Sequence, residues 1–417
     1  MSKRFHVTAL AVAAALTSLQ AQSAGFQVAE HSASGLGRAF AGEAAIADNA
    51  AVLARNPAAS TLFKQRTFSG ALSIVDPSID IESTDLNPNV SSTQTAKDIA
   101  PLGIVPAAYY INPIDDKLAL GLAMFSNYGV TTEYPQAFQA GLSAGKTSLI
   151  TVNLNPSVGY RVNDNLSLGL GVSLIYGTAE LHRYSGSTNL GNSASDQIIG
   201  LEGDSFGFGW NIGALYEVNK DHRFGLSYRS QTDLDFEGDF TDNIGLFTGT
   251  PNNTVSGDLT VVLPAIAEFS GFHQVADKWA VHYSVQWTQY SKFEELRATG
   301  SECTYTDGTE GLCLLKEEDY DDNFRYAIGT TYSLNPHWTI RAGYALDEQA
   351  GKPTLSIPDT DRHWYSAGFT YKHNEDLSFD FGFAYLAAKE MTFTEDGFSN
   401  KSTGGAIISA GQVNYTF

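Results

Sequence analysis

From about Arg66 onward, apolar residues recur at every second position, the period of a strand whose two faces meet different surroundings. In WAVHYSVQWTQY, Trp279, Val281, Tyr283, Val285 and Trp287 share one face, and Ala280, His282, Ser284, Gln286 and Thr288 share the other. In LSFDFGFAYL, Leu377, Phe379, Phe381, Phe383 and Tyr385 alternate with Ser378, Asp380, Gly382 and Ala384. Comparable stretches cover 118–124, 150–160 and 338–346, and the chain closes with Ile407, Val413, Tyr415 and Phe417 in one phase. A soluble β-sandwich also carries one apolar face per sheet. Two features favour a membrane barrel instead. The apolar faces are rich in Trp, Tyr and Phe near strand ends, as in an aromatic girdle, and the opposite faces are small or charged, including Arg341 and Asp380, as a polar lumen requires. The segments also run about ten residues or more, the length of a tilted bilayer crossing.

Turn chemistry gives the strand count. Short polar turns fall at 112–116, 163–165, 219–222, 276–278, 335–337 and 373–376. Longer connections lie near 83–99, 132–146, 187–202, 241–254, 298–316, 350–361 and 393–404. Short and long connections alternate, which is the asymmetry of periplasmic turns and outside loops. Six turns and seven loops join fourteen strands, so the expectation is an all-β, fourteen-stranded antiparallel transmembrane barrel over residues 66–417.

Residues 24–65 break the pattern. They are rich in Ala and Gly and predict short helices over 43–47 and 49–55, the second stopped by Asn56-Pro57, since proline lacks a backbone donor and disfavours helix before it. Gly35 and Gly37 form no dinucleotide fingerprint, because no strand precedes them and the third glycine is misplaced. A fourteen-stranded barrel is wide enough for an aqueous channel unless something fills it. Small residues pack closely in a confined space, so this segment is expected to plug the lumen as a helical hatch.

The first residues bring in export. Lys3 and Arg4, then the apolar run Val7–Leu16, then Ala21-Gln22-Ser23 read as a signal peptide over residues 1–23. Its removal takes the formal charge from −21 to −23. An acidic chain does not suit nucleic acid, whose phosphates call for clustered Lys and Arg. Beyond the leader, no run of about 18 apolar residues occurs, so no helical span is expected. Cys303 and Cys313 can close a small loop in an exported chain. No Cys/His spacing suggests a metal, and no cofactor is implied.

The chain resembles the FadL family of outer-membrane long-chain fatty acid transporters. The resemblance rests on AGFQVAEHSASGLGRAFAGEAAIAD (24–48), the tripeptide Asn56-Pro57-Ala58, SNYGVTTEYP (126–135), SLITVNLNPSVGYRVNDNLSLGLGV (148–172), WAVHYSVQWTQYSKFEEL (279–296), RAGYALDEQ (341–349) and IPDTDRHWYSAG (357–368). It implies a monomeric barrel in the outer membrane of a Gram-negative bacterium, inserted by the barrel-assembly machinery. It also implies a passive route: capture in an apolar groove among outside loops, transfer to a lumen pocket, hatch movement, and sideways exit at a kinked third strand into outer-membrane lipid.

Candidate residues follow from both readings. Leu190, Ile198, Ile199 and Leu201 in one outside connection, and Ile244, Leu246 and Phe247 in the next, form apolar clusters exposed to water, which call for a reason. Loop-on-loop packing is one; the capture groove implied by the family is the other. Tyr134, Phe138 and Leu142 recur at helical spacing and read as loop packing. Phe26, at the mature N-terminus, matches the end that reaches the family's pocket. Arg183 and Lys316 resemble its basic pocket residues and can pair with a carboxylate, although Glu317, Glu318 and Asp319 crowd Lys316. Gly129 is placed to host the kink, and Asn56, Pro57 and Ala58 to let the hatch move. Arg229, Arg325 and Arg341 read as lumen charges, and His282 as a wall histidine. A hydrophilic porin would need an open lumen. An outer-membrane hydrolase would need a nucleophile oriented by histidine, and no such motif is present. Uptake of aromatic or other neutral hydrophobic compounds is the alternative within transport.

Overall fold

The computed structural model describes residues 25–90, 92–188 and 190–417; the leader expected over 1–23 lies outside the described residues. Fourteen wall strands follow one another, each antiparallel to its neighbour. They are β1 (Thr67–Asp85), β2 (Gly103–Pro113), β3 in two pieces (Leu118–Phe125 and Gly129–Glu133), β4 (Lys146–Arg161) and β5 (Leu166–Tyr184). There follow β6 (Gln197–Asn219), β7 (His222–Arg229 and Thr232–Asp242), β8 (Asn253–Leu263 and Ile266–Ala276), β9 (Trp279–Thr288 and Glu295–Thr304) and β10 (Glu310–Glu317 and Asn323–Asn335). Last come β11 (Trp338–Asp347), β12 (Arg362–Lys372), β13 (Leu377–Ala388) and β14 (Phe398–Thr416). Thr67 pairs with Thr416 and Asp85 with Phe398, so β14 returns to β1 and the sheet closes into a barrel.

The alternation decides which face meets lipid. On β9, Ala280, His282, Ser284, Gln286 and Thr288 are buried, while Trp279 and Val285 are exposed. On β6, one outward face carries Glu202 and Asp204 and then Phe206, Phe208 and Trp210. The change from carboxylates to rings marks the upper edge of the lipid-facing band, where a charge would otherwise lose its water. The six short turns fall where expected. The outside connections differ in kind: 298–316 is mostly a β-hairpin rather than a loop, with Cys303 bonded to Cys313 across it at a Cα–Cα distance of 5.1 Å.

The hatch fills the lower lumen with four short pieces: α1 (Ala33–Leu36), α2 (Glu43–Ile46) and 3-10 turns at Ala50–Ala54 and Pro57–Leu62. Its backbone lies directly on the wall because both surfaces are small. A Cβ on Gly225 of β7 would overlap the Ala44 carbonyl, and one on Gly343 of β11 would overlap the Arg38 backbone. Asn56-Pro57 ends the Ala50–Ala54 piece, as expected from the proline, and also starts the last turn of the hatch. Asn56 caps that turn through Oδ1, which accepts the Ala58 N–H at 3.0 Å, and Pro57 takes the first position, where no donor is needed. The Asn56 amide also donates to the carbonyls of Ala44 at 2.7 Å and Ala214 at 3.0 Å, tying hatch to wall.

Charges fix the body of the hatch. Arg38 pairs with Glu43 at 2.7 Å and Asp48 at 2.8 Å, and Asp48 reaches Arg341 of β11 at 3.3 Å. Burial works to raise the Asp48 carboxyl, but the two guanidiniums hold it below the usual carboxylate range. Arg55 donates to Gln286 at 2.6 Å and pairs with Glu268 at 3.3 Å, both on the wall. Arg229 and Arg325 donate to the hatch carbonyls of Ala54 and Ala39 at 3.1 and 3.0 Å. His282 faces the lumen with Nε2 2.9 Å from the Thr331 hydroxyl.

Candidate functional site

Above the hatch the lumen turns apolar. Phe26 stands at the top of the hatch, with its ring 5.0 Å from Phe293, 5.3 Å from Tyr290 and 5.6 Å from Tyr128. Its N–H donates to the Tyr290 hydroxyl at 3.0 Å. Beside it lies a cavity of about 50 Å³, lined by Val130, Leu149, Leu181, Leu201, Leu259 and Val261 among others. That is room for only a few water-sized groups.

A wider cleft of about 530 Å³, within the range of small-molecule sites, opens toward the outside. Leu190, Ile198, Ile199, Leu246 and Phe247 line it, with Tyr305 and Leu314. Leu181 lines both spaces, so they adjoin. Ile244 packs against the same apolar cluster, and Leu201 belongs to the inner cavity. Ile198, Ile199 and Leu201 lie on the extended start of β6 rather than on a loop. Residues 134–144 form no helix: Tyr134 and Phe138 pack ring to ring at 5.2 Å, whereas Leu142 turns to the cleft. A larger concavity, about 780 Å³, lies on the outer wall. Glu180, Glu202, Asp204 and Glu237 rim it, so it repels an acidic ligand. Ser148, Ala179 and Glu180 line both it and the inner cavity, so the two spaces lie on either side of the same stretch of wall.

Arg183 and Lys316 meet at the cleft. Arg183 Nη2 donates to Ser356 Oγ at 2.8 Å, and Lys316 Nζ to the same oxygen at 3.0 Å. Ser356 sits between β11 and β12, far from both in sequence. Lys316, near the lower end of the first β10 piece, also pairs with Glu318 and Glu395, each at 3.4 Å. Burial raises the Glu318 carboxyl, against the pull of Lys316. The cluster thus brings two cations together, but the Arg183 fork is already engaged: Nη1 donates to the carbonyls of Lys146 at 3.0 Å and His182 at 2.9 Å, and Nη2 also to Thr147 Oγ1 at 3.1 Å. Of the three acids expected to crowd Lys316, Glu318 pairs with it, and Glu395 joins from the β13–β14 connection. Sequence reasoning carried no sign of Ser356, Glu395 or the ring partners of Phe26, because only folding brings them together.

The third strand is interrupted at 126–128, just before Gly129. Phe125 pairs with Asn153 and Gly129 with Ile150, so three residues of β3 face two of β4, a bulge. The lower piece pairs with β2 up to Met124, opposite Ala108; the upper piece pairs only with β4. The first residues of the hatch run along this interruption. Val28 N–H donates to Asn127 O and Gly129 N–H to Phe26 O, both at 2.7 Å, and His31 Nε2 lies 2.8 Å from Ser126 O.

Residues 14–417 match the family model described as outer membrane protein transport protein (OMPP1/FadL/TodX). The chain is 42% identical to a long-chain fatty acid transport protein of Escherichia coli O6:H1, over 99% of each chain. It is 41% identical to the 47 kDa outer membrane protein of Pasteurella multocida, over 100% of this chain and 99% of that one. Its fold matches a Pseudomonas aeruginosa FadL homologue with a TM-score of 0.82 at 21% identity, over 94% of this chain and 100% of that one. This chain, with its closed fourteen-stranded wall and lumen hatch, therefore belongs to the OMPP1/FadL/TodX family of outer-membrane transport proteins, and is a transporter rather than an enzyme.

Proposed function

We propose that the chain carries long-chain fatty acids across the outer membrane by passive, hatch-gated diffusion. The observation that carries this reading is the placement of Arg183 and Lys316 at the mouth of an apolar cleft that adjoins an apolar lumen cavity. A fatty acid is an apolar chain with one carboxylate, and the two features match its two parts. The acyl chain leaves water in the outer cleft, gaining about 0.8 kcal/mol per methylene buried. The carboxylate then displaces the acidic partners of Lys316 and takes the place of the Ser356 and Thr147 hydroxyls on Arg183 Nη2. Residues 24–65 act as the hatch and 66–417 as the barrel. Withdrawal of Phe26 enlarges the inner cavity, and the same movement unpairs the hatch from 126–129. The ligand leaves there, between β2 and the upper piece of β3, into outer-membrane lipid. The turn at Asn56, Pro57 and Ala58, with its capped geometry, stays with the body of the hatch in this scheme.

Relatives named as long-chain fatty acid transport proteins support the same ligand class. The test is growth on oleate in a strain lacking its own transporter, with toluene uptake measured beside it. The chain restores oleate growth, and Arg183→Ala weakens oleate binding about 10- to 100-fold, the worth of one charge-assisted hydrogen bond. Rescue of toluene uptake without oleate growth, at normal surface expression, would transfer the reading to neutral hydrocarbons.

A further inference from the structure

Two histidines outside the transport path meet near the periplasmic rim. His222 opens β7 and His273 lies close to the end of β8, and the strand register sets them directly opposite one another. Their Nδ1 atoms are 3.1 Å apart. His273 Nε2 lies 3.3 Å from the Tyr283 hydroxyl, and the Phe224 ring packs edge-on against the His273 ring at 5.3 Å. Both histidines are half-buried and on the outer face, within reach of periplasmic water.

The contact to Tyr283 sets the chemistry. When His273 donates its Nε2–H to the Tyr283 oxygen, its Nδ1 carries a bare lone pair aimed at His222. His222 can fill the gap with its own Nδ1–H. It can equally hold its proton on Nε2, and then two lone pairs converge. Metal–imidazole bonds of about 2.0–2.1 Å place two nitrogens ~3.3 Å apart on a tetrahedral ion and ~2.9 Å apart at a right angle. The observed separation falls between the two, so both geometries are within reach of a small rotation of either ring. A hydrogen bond from the other ring nitrogen to an outer partner is also what orients histidine ligands in metal sites.

We propose that His222 and His273 form a binding site for a divalent transition cation, zinc or copper, at the periplasmic rim, with Tyr283 as the positioning residue and water completing the coordination. Bound metal joins β7 to β8 where the two strands enter the periplasm. The histidines are 51 positions apart in sequence, so no spacing motif announces them.

The test uses the untagged full chain folded in detergent micelles. Equilibrium dialysis against zinc chloride gives one tight equivalent, and His222→Asn and His273→Asn each weaken it by more than about tenfold, the scale of a lost ligand or orienting partner. Tyr283→Phe weakens it less, and His337→Asn, at a separate turn, leaves it unchanged. Copper(II) electron paramagnetic resonance on the unaltered chain shows splitting from two nitrogens. The Glu180, His182 and Glu202 group, whose donor atoms also lie within 4.8 Å of one another, can supply only one nitrogen. A one-nitrogen spectrum, or zinc binding that survives loss of both histidines, would reduce the pair to a hydrogen-bonded contact. Because the copper spectrum is read on the unaltered chain, its outcome does not depend on any variant folding.

Discussion

The two parts of the hatch are held by different physics. The body, from Arg38 to Thr61, is bolted to the wall by ion pairs and charge-assisted bonds through Arg38, Asp48 and Arg55. The first residues, Phe26 to His31, are held by neutral bonds to Ser126, Asn127, Gly129 and Tyr290 and by ring packing, with one long contact from Arg55 Nη2 to the Ala29 carbonyl at 3.5 Å. A neutral hydrogen bond contributes about 0.5–1.5 kcal/mol net, because water or another partner can replace it. A buried ion pair is costly to separate, because each half is left as an unsatisfied charge. The contrast suits the proposed gating, in which the body seals the lumen while the first residues exchange their partners. Those first residues lie beside both the inner cavity and the interruption in β3.

The contrast breaks most severely at its strong side. Arg38→Met leaves Glu43 buried without its partner and costs about 3–5 kcal/mol. The expected result is a loosened hatch, read as entry of small sugars into liposomes carrying the variant and as a lower thermal midpoint. An impermeable, equally stable variant would mean that the ion pairs are not what fixes the body. Phe26→Ala tests the weak side. It removes a packed ring worth about 3–5 kcal/mol in a core, but the loss is local. Amide exchange at 26–29 and 127–129 should quicken by more than about tenfold, with the barrel's own midpoint little changed. Exchange that quickens equally through the body of the hatch would erase the proposed division.

The smallest and most diagnostic effect is a pH slope. Burial pushes the Glu30 carboxyl up to about 7, although the Ala29 N–H donates to it. Its value in the unfolded chain is near the ordinary 4.5, so between those pH values the folded state holds more protons. Stability contributed by this group is therefore full below about 4.5, falls as pH rises to about 7, and is level above. Glu30→Gln should flatten that part of the midpoint-versus-pH curve and leave the rest unchanged. A slope that persists in the variant belongs to another group.

The sequence by itself determined the wall. A period of two, with rings on one face and small or charged residues on the other, can be satisfied only by a sheet between lipid and a filled lumen, and the alternation of short and long connections fixed fourteen strands. Local chemistry also marked the hatch as small and non-strand, because alanine and glycine pack where larger residues cannot. The meaning of Asn56-Pro57 was only half legible. A proline ends a helix as readily as it begins a turn, and its Asn56 cap is settled by contacts to Ala44 and Ala214. What the tertiary structure alone decided is which distant side chains meet. Ser356 between Arg183 and Lys316, Tyr128 and Tyr290 around Phe26, and His222 opposite His273 are set by barrel closure and strand register. Neither leaves a periodic trace, because each such contact joins residues tens to hundreds of positions apart, one from each element.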